Sequence, residues 1–229
     1  MCNDYHVLAL DRRGRGDTDW APKGDYSSDA CVADLEGFVA QLKLDSFVLV
    51  GHSSGGRHSM VFTARNPNMV KKLVIVDIPP SIDPPDRGRI QNEVRNVPEE
   101  FATFEDVYKH LRKENPYPPE DVLRRRLKYQ TKVLPNGKFG WKYDIVVREQ
   151  MRQGTHPRED LWWAWKKITC PTLIVRGKQT DAITPETAKE MLDSHPKAQM
   201  VELPRAGHMA FEDNPDAFLW EVRTWLKKA

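Results

Sequence analysis

Short apolar runs punctuate a chain that is otherwise strongly polar. Tyr5-His6-Val7-Leu8-Ala9-Leu10, Phe47-Val48-Leu49-Val50, Lys72-Leu73-Val74-Ile75-Val76-Asp77, Pro171-Thr172-Leu173-Ile174-Val175-Arg176 and Ala198 to Leu203 each read as a strand. Helical patterns separate them. Ser27 or Ser28 caps a helix whose Cys31, Leu35, Phe38, Val39 and Leu42 share one face. A second helix follows Ser53 and runs to about Asn66-Pro67. A third opens at Thr184-Pro185, with Thr184 as cap and Pro185 at the first helical position. A last one runs from about Asn214-Pro215 to Lys227, with Phe218, Val222 and Trp225 on one face. Strands that alternate with helices predict an α/β fold with a mostly parallel sheet covered on both faces.

Between Ile78 and about Lys167 the pattern changes. This stretch is Pro-rich, charged and helical in spacing, with no apolar strand run. It predicts helices over Asp86 to Val94, Phe104 to Lys113, Pro119 to Tyr129 and Pro157 to Lys167, and a tight turn at Asn136-Gly137. The reading is a core built from residues 1–77 and 168–229, with 78–167 inserted as a helical cap. Trp141, Trp162, Trp163 and Trp165 fall in the insertion. Either they line an apolar pocket or they bind the insertion to the sheet.

Composition narrows the function classes. Across 229 residues, Lys plus Arg is 35 and Asp plus Glu is 33, a formal charge of +2, so nothing selects nucleic acid or an anionic membrane as partner. The Arg124-Arg125-Arg126 run reads as a solvated helix face. No segment approaches the ~18 apolar residues of a membrane span. Cys2, Cys31 and Cys170 are odd in number and widely spaced, which argues against a disulfide framework or a zinc site and fits a reducing, cytoplasmic compartment. The expected reaction calls for no metal and no organic cofactor.

The chemistry gathers at Gly51-His52-Ser53-Ser54-Gly55-Gly56, between an apolar run and a helical segment. A strand, a Ser-bearing Gly-x-Ser-x-Gly turn and a helix make a nucleophile elbow, in which glycines relieve a crowded backbone. Gly51 and Gly56 also have phosphate-loop spacing, but Arg57 and His58 stand where that loop carries Lys and Ser or Thr. A Ser hydroxyl needs a base and an orienting acid. His208 sits in a Gly-flanked loop just past the last strand, and Asp181 on a loop past the strand before it. Ser53, Asp181 and His208 stand in Ser-Asp-His order, on loops that a parallel sheet gathers at one end. Asp77, at the end of another strand, is the alternative acid.

Four segments carry a resemblance: Asp11-Arg12-Arg13-Gly14-Arg15-Gly16, Gly51 to Gly56, Gly177 to Pro185, and Ala206-Gly207-His208. In this order they resemble the α/β-hydrolase superfamily, in its cap-bearing esterase and lactonase branch. The resemblance implies Ser53 as nucleophile, His208 as base and then acid, Asp181 as the orienting carboxylate, and the Ser54 N–H as an oxyanion donor. It implies acyl transfer on a small-molecule ester or lactone substrate. Dehalogenases and epoxide hydrolases of this fold carry Asp at the position of Ser53.

In that family three strands precede the equivalent of the Tyr5 run, and the loop after the third carries a His-Gly motif with the second oxyanion donor. The chain begins at the equivalent of the fourth strand. Losing one oxyanion donor costs roughly 10²–10³ in rate, so weak activity is expected. An exposed sheet edge at that point favours a homo-oligomer. Perhydrolase or C–C bond hydrolase chemistry with the same triad, and a silent binding protein that keeps the fold, are the alternatives.

Overall fold

In the computed structural model, residues 4–81, 97–153 and 159–228 are described. They contain seven strands: β1 (Phe47–His52), β2 (Val70–Val76), β3 (Glu100–Phe101), β4 (Thr131–Val133), β5 (Phe139–Trp141), β6 (Thr172–Gly177) and β7 (Ala198–Leu203). The chain divides into two units. One comprises Met1–Val7, Ser28–Asp83 and Arg158–Ala229; the other comprises Leu8–Ser27 and Pro84–Pro157.

The first unit holds a four-stranded sheet of order β1-β2-β6-β7, parallel at every pairing. Its central strands are apolar at nearly every position because both faces are covered. In β2, Leu73 and Ile75 pack with Val32, Val39, Met60 and Phe62 of the helices Ser28–Gln41 and Ser54–Arg65. Val74 and Val76 point the other way, to Leu173, Val175, Val222 and Trp225, the last two on the helix Pro215–Lys227. The helix Pro185–Ser194 starts as its sequence predicts: Thr184 Oγ1 accepts from Thr187 N at 3.2 Å, and Pro185 follows.

Three expectations change here. Tyr5 to Leu10 is not a strand, and Val7, Leu8 and Leu10 are exposed. An apolar run becomes a strand only with a ladder partner, and among the described residues none pairs with it. The helix expected over Pro157 to Lys167 is a single turn, Trp162–Trp165, within the described part of that range. It also belongs with the sheet. Trp165 is fully buried there, donates from Nε1 to Met191 O at 3.1 Å and meets the His195 ring edge-on at 5.3 Å. Burial pushes the His195 imidazole below its usual pKa. Trp165 is therefore core, whereas Trp163 is exposed with Lys167 over its ring. Finally, Leu42 lies past the end of the first helix and is exposed, while Val32, outside the expected face, is buried.

Arg57, on the Ser54–Arg65 helix, reaches both points where the chain departs from this unit and returns. Its guanidinium donates to Pro80 O at 3.0 Å and also to Glu159 O, while Leu161 N donates to Pro80 O at 3.0 Å.

The second unit is helical in part, with Phe104–Glu114, Glu120–Gln130 and Ile145–Gln153. The helix placed over Asp86 to Val94 lies outside the described residues. A small antiparallel sheet, β3-β5-β4, is the element that the apolar pattern misses. Its strands have two or three residues, too few to register as a run. Asn136-Gly137 turns between β4 and β5, where Gly137 takes φ 79° and its N–H bonds Leu134 O at 2.9 Å. Arg124 is spent on Glu105 and Glu120 and lies over the Tyr108 ring, as a solvated helix face would be. Leu8–Ser27, which the sequence assigns to the core, groups with this unit because its polar groups are satisfied here. Gly16 N donates to Lys142 O, Asp144 N to Gly14 O, Gln150 Nε2 to Gly24 O, and Tyr26 OH to Asp144 Oδ2. Burial, with that bond, pushes the Tyr26 phenol up to about 12.

Trp165→Ala is expected to destabilise the protein by about 3–5 kcal/mol, as large-to-small changes at filled core sites do. Trp163→Ala should change stability by no more than about 0.5 kcal/mol. Urea denaturation followed by circular dichroism separates the two.

Candidate functional site

The parallel ladder sets the height of two side chains. His52, the last residue of β1, is in register with Val76, the last of β2. The hydrogen bonds continue one step further: Ser53 N donates to Val76 O at 3.2 Å, and Asp77 N donates to Val175 O at 2.9 Å. Ser53 and Asp77 therefore leave neighbouring strands at the same level. Each has a left-handed backbone, φ 52° for Ser53 and 50° for Asp77. Such values cost a non-glycine residue of order 1–3 kcal/mol and persist only where the surroundings over-determine them.

At Ser53 the surroundings are the elbow. A Cβ on Gly51 would lie 2.7 Å from Gly55 O and 2.8 Å from Gly56 Cα, and one on Gly56 would lie 2.5 Å from Ile78 Cγ2. The crowding expected from the sequence is thus present at Gly51 and Gly56. Gly55 differs, since a Cβ there meets nothing within 4 Å. Ser54 begins the helix, so its N–H is one of the first-turn donors with no helical carbonyl to bond.

At Asp77 the surroundings are a ring of donors. The carboxylate is fully buried. Oδ1 accepts from Gly177 N at 3.2 Å, and Oδ2 accepts from Thr180 Oγ1 at 2.6 Å and lies 3.0 Å from His208 Nδ1. The carboxylate that lies against His208 Nδ1 is that of Asp77. Asp181 is exposed, four residues past the end of β6. Its loop does reach the site, but through Gly177 and Thr180, which bind Asp77.

Packing fixes the His208 loop. Gly177 is the point of closest approach: a Cβ there would come within 2.2 Å of Gly207 O and 2.5 Å of Ala206 O. Ala206 N donates to Gln179 Oε1 at 2.7 Å, and Gly207 N to the buried Asp213 Oδ2 at 2.8 Å. His52 Nε2 lies 2.8 Å from His208 O, which brings the residue before Ser53 against this loop. Gln179, Asp213 and His52 were not legible as site residues. Asp213 comes five residues after His208, on a short helix, Ala210–Asp213, that the apolar pattern does not mark. Among the described residues, no cluster of three or more His, Cys, Asp or Glu is placed to hold a metal ion, and no helix is long and apolar enough to cross a membrane.

Gly177→Ala is expected to push the Ala206-Gly207 backbone away, cost about 1–3 kcal/mol of stability as overpacking does, and lower hydrolytic turnover. Thermal melting and steady-state assays of the purified variant check both.

Comparison with known proteins agrees with this geometry. Residues 2–221 match the alpha/beta hydrolase family. The chain is 28% identical to sn-1-specific diacylglycerol lipase ABHD11 of Mus musculus over 226 residues, covering 96% of this chain and 71% of the relative. It is 25% identical to 2-(acetamidomethylene)succinate hydrolase of Mesorhizobium japonicum, covering 99% of this chain and 80% of that one. The crystal structure of an E-2-(acetamidomethylene)succinate hydrolase superposes with a TM-score of 0.85 at 26% identity, over 94% of this chain and 79% of the other. With a match that runs almost end to end and a parallel sheet that carries an elbow serine, the chain belongs to the alpha/beta hydrolase family and is a hydrolytic enzyme.

Proposed function

We propose that the protein is a serine hydrolase that opens a small carboxylic ester or lactone through an acyl-enzyme on Ser53, with His208 as proton carrier and Asp77 as its orienting acid. One observation carries the reading: His208 Nδ1 lies 3.0 Å from the carboxylate of the fully buried Asp77. An ionised acid in that position holds the imidazole with Nδ1–H toward Asp77, so that Nε2 is the basic nitrogen. His208 keeps a partly exposed side chain, with 41% of it open to solvent, as a group that hands protons to substrate and water requires.

The cycle follows from those roles. Ser53 Oγ attacks the acyl carbon while His208 Nε2 takes the hydroxyl proton. The tetrahedral oxyanion accepts a hydrogen bond from Ser54 N–H at the start of the Ser54–Arg65 helix, whose dipole favours negative charge. The imidazolium then protonates the leaving oxygen, and Ser53 keeps the acyl group. Water, deprotonated by His208, releases the acid and restores the serine. The names of the two reported relatives, a diacylglycerol lipase and an acetamidomethylene-succinate hydrolase, fit acyl chemistry with differing leaving groups.

A fluorophosphonate probe should label the wild-type protein and leave Ser53→Ala unlabelled, and p-nitrophenyl acetate turnover should vanish in the same variant. Labelling or turnover that survives Ser53→Ala rules out the serine. In a parallel pair, Asp77→Asn should lower kcat by roughly 10³–10⁴, the scale of losing the orienting acid of a triad, while Asp181→Asn stays close to wild type. The reverse ranking would transfer the acid role to Asp181.

A further inference from the structure

His208 sits outside any helix or strand, and its ring is partly exposed. Asp77 fixes one end of the imidazole. Something must also fix the backbone from which the ring hangs, because a small misplacement of a reacting group costs orders of magnitude in rate. On the N-terminal side Asp213 holds Gly207 N at 2.8 Å. On the other side His208's own carbonyl meets one side chain, His52, whose Nε2 is 2.8 Å away.

We propose that His52 is a positioning residue for the base: its Nε2–H donates to His208 O, and its ring braces the His208 ring, so that the strand carrying the nucleophile also sets the aim of the base. This rests on His208 acting as that base. A carbonyl only accepts, so the bond requires the proton on Nε2 of His52. The rings lie with centroids 4.7 Å apart and tilted by 47°, and the His52 and Phe211 rings are near-perpendicular with centroids 5.0 Å apart. Phe211 belongs to the short helix that also supplies Asp213. His52 therefore touches the His208 loop at three places: carbonyl, ring and the helix behind.

Its place in the sheet gives this contact its meaning. His52 directly precedes Ser53 and is in register with Val76, which directly precedes Asp77. His52 thus joins the Asp77-bearing strand through its backbone and the His208 loop through its side chain. A residue of another kind at position 52 would leave the elbow intact and the Asp77–His208 contact possible, yet the loop would lose its tether to β1.

The test uses the full chain and p-nitrophenyl acetate, with Ser53→Ala as the control that reports on the hydrolase reading itself. His52→Phe keeps a ring against His208 and Phe211 but removes the donor. Its kcat should fall about 10- to 100-fold, with KM within about twofold, as for a misaimed base rather than a lost substrate contact. His52→Gln, which restores an N–H donor, should recover part of that loss. A folded His52→Phe with wild-type kcat, or a His52→Gln no better than His52→Phe, overturns the proposal. Wild-type protein supplies a check that needs no variant to fold. Nitrogen-resolved NMR of the histidines should show His52 protonated at Nε2, and a neutral His52 protonated at Nδ1 overturns the assignment. If Ser53→Ala turns over the ester undiminished, the serine-hydrolase reading has failed, and the NMR result alone then decides the His52–His208 contact.

Discussion

A carboxylate with no exposed surface is the most demanding group in this protein. Buried without partners, it would be protonated or would unfold its surroundings. Asp77 is instead surrounded by partners: a backbone N–H from Gly177, the Thr180 hydroxyl and the His208 ring. Each donor comes from a segment that must be in place for the charge to be tolerated. The β6 turn and the loop after β7 are therefore held by the same contacts that orient the His208 ring. Stability and chemistry coincide here, because removing a donor both strands a charge and frees a ring.

The sheet delivers these groups to one level without any special loop geometry. Successive parallel strands β1 and β2 end in register, and the ladder runs one residue beyond each, to Ser53 and Asp77. The strained backbones at those two residues are the price of turning a side chain out at the strand tip, and the close packing of Gly51, Gly56 and Gly177 keeps them there.

Much of this was legible in the residues. β2 and β6 are largely buried and β1 and β7 partly so, and all four carry apolar runs that stand out, while the Ser53 turn announces itself through its glycines. The acid was harder. Asp77 and Asp181 both follow a strand, and sequence order favours Asp181. Asp77 lies against His208 and, through the β1–β2 register, level with Ser53, a relation between strands that no single run displays. Tyr5 to Leu10 shows the converse error: an apolar pattern names a strand, but only a neighbouring ladder makes one. The short strands β3, β4 and β5 were missed because two or three residues do not produce a period. Trp165 fills the core beside the sheet, and nothing in its local sequence distinguishes such an aromatic from one that covers a pocket.

The Arg57 guanidinium has a consequence for how such a chain can change. Pro80 and Glu159 are far apart in sequence, yet both accept from that one side chain. The ends of the intervening excursion are therefore fixed within the span of a single planar group. A loop whose ends are already together adds little closure entropy when it lengthens, and insertions are tolerated where termini meet. One residue of the helix that follows Ser53 thus anchors the segment at both ends, while Leu8–Ser27 is bonded to its interior through Lys142, Asp144 and Gln150.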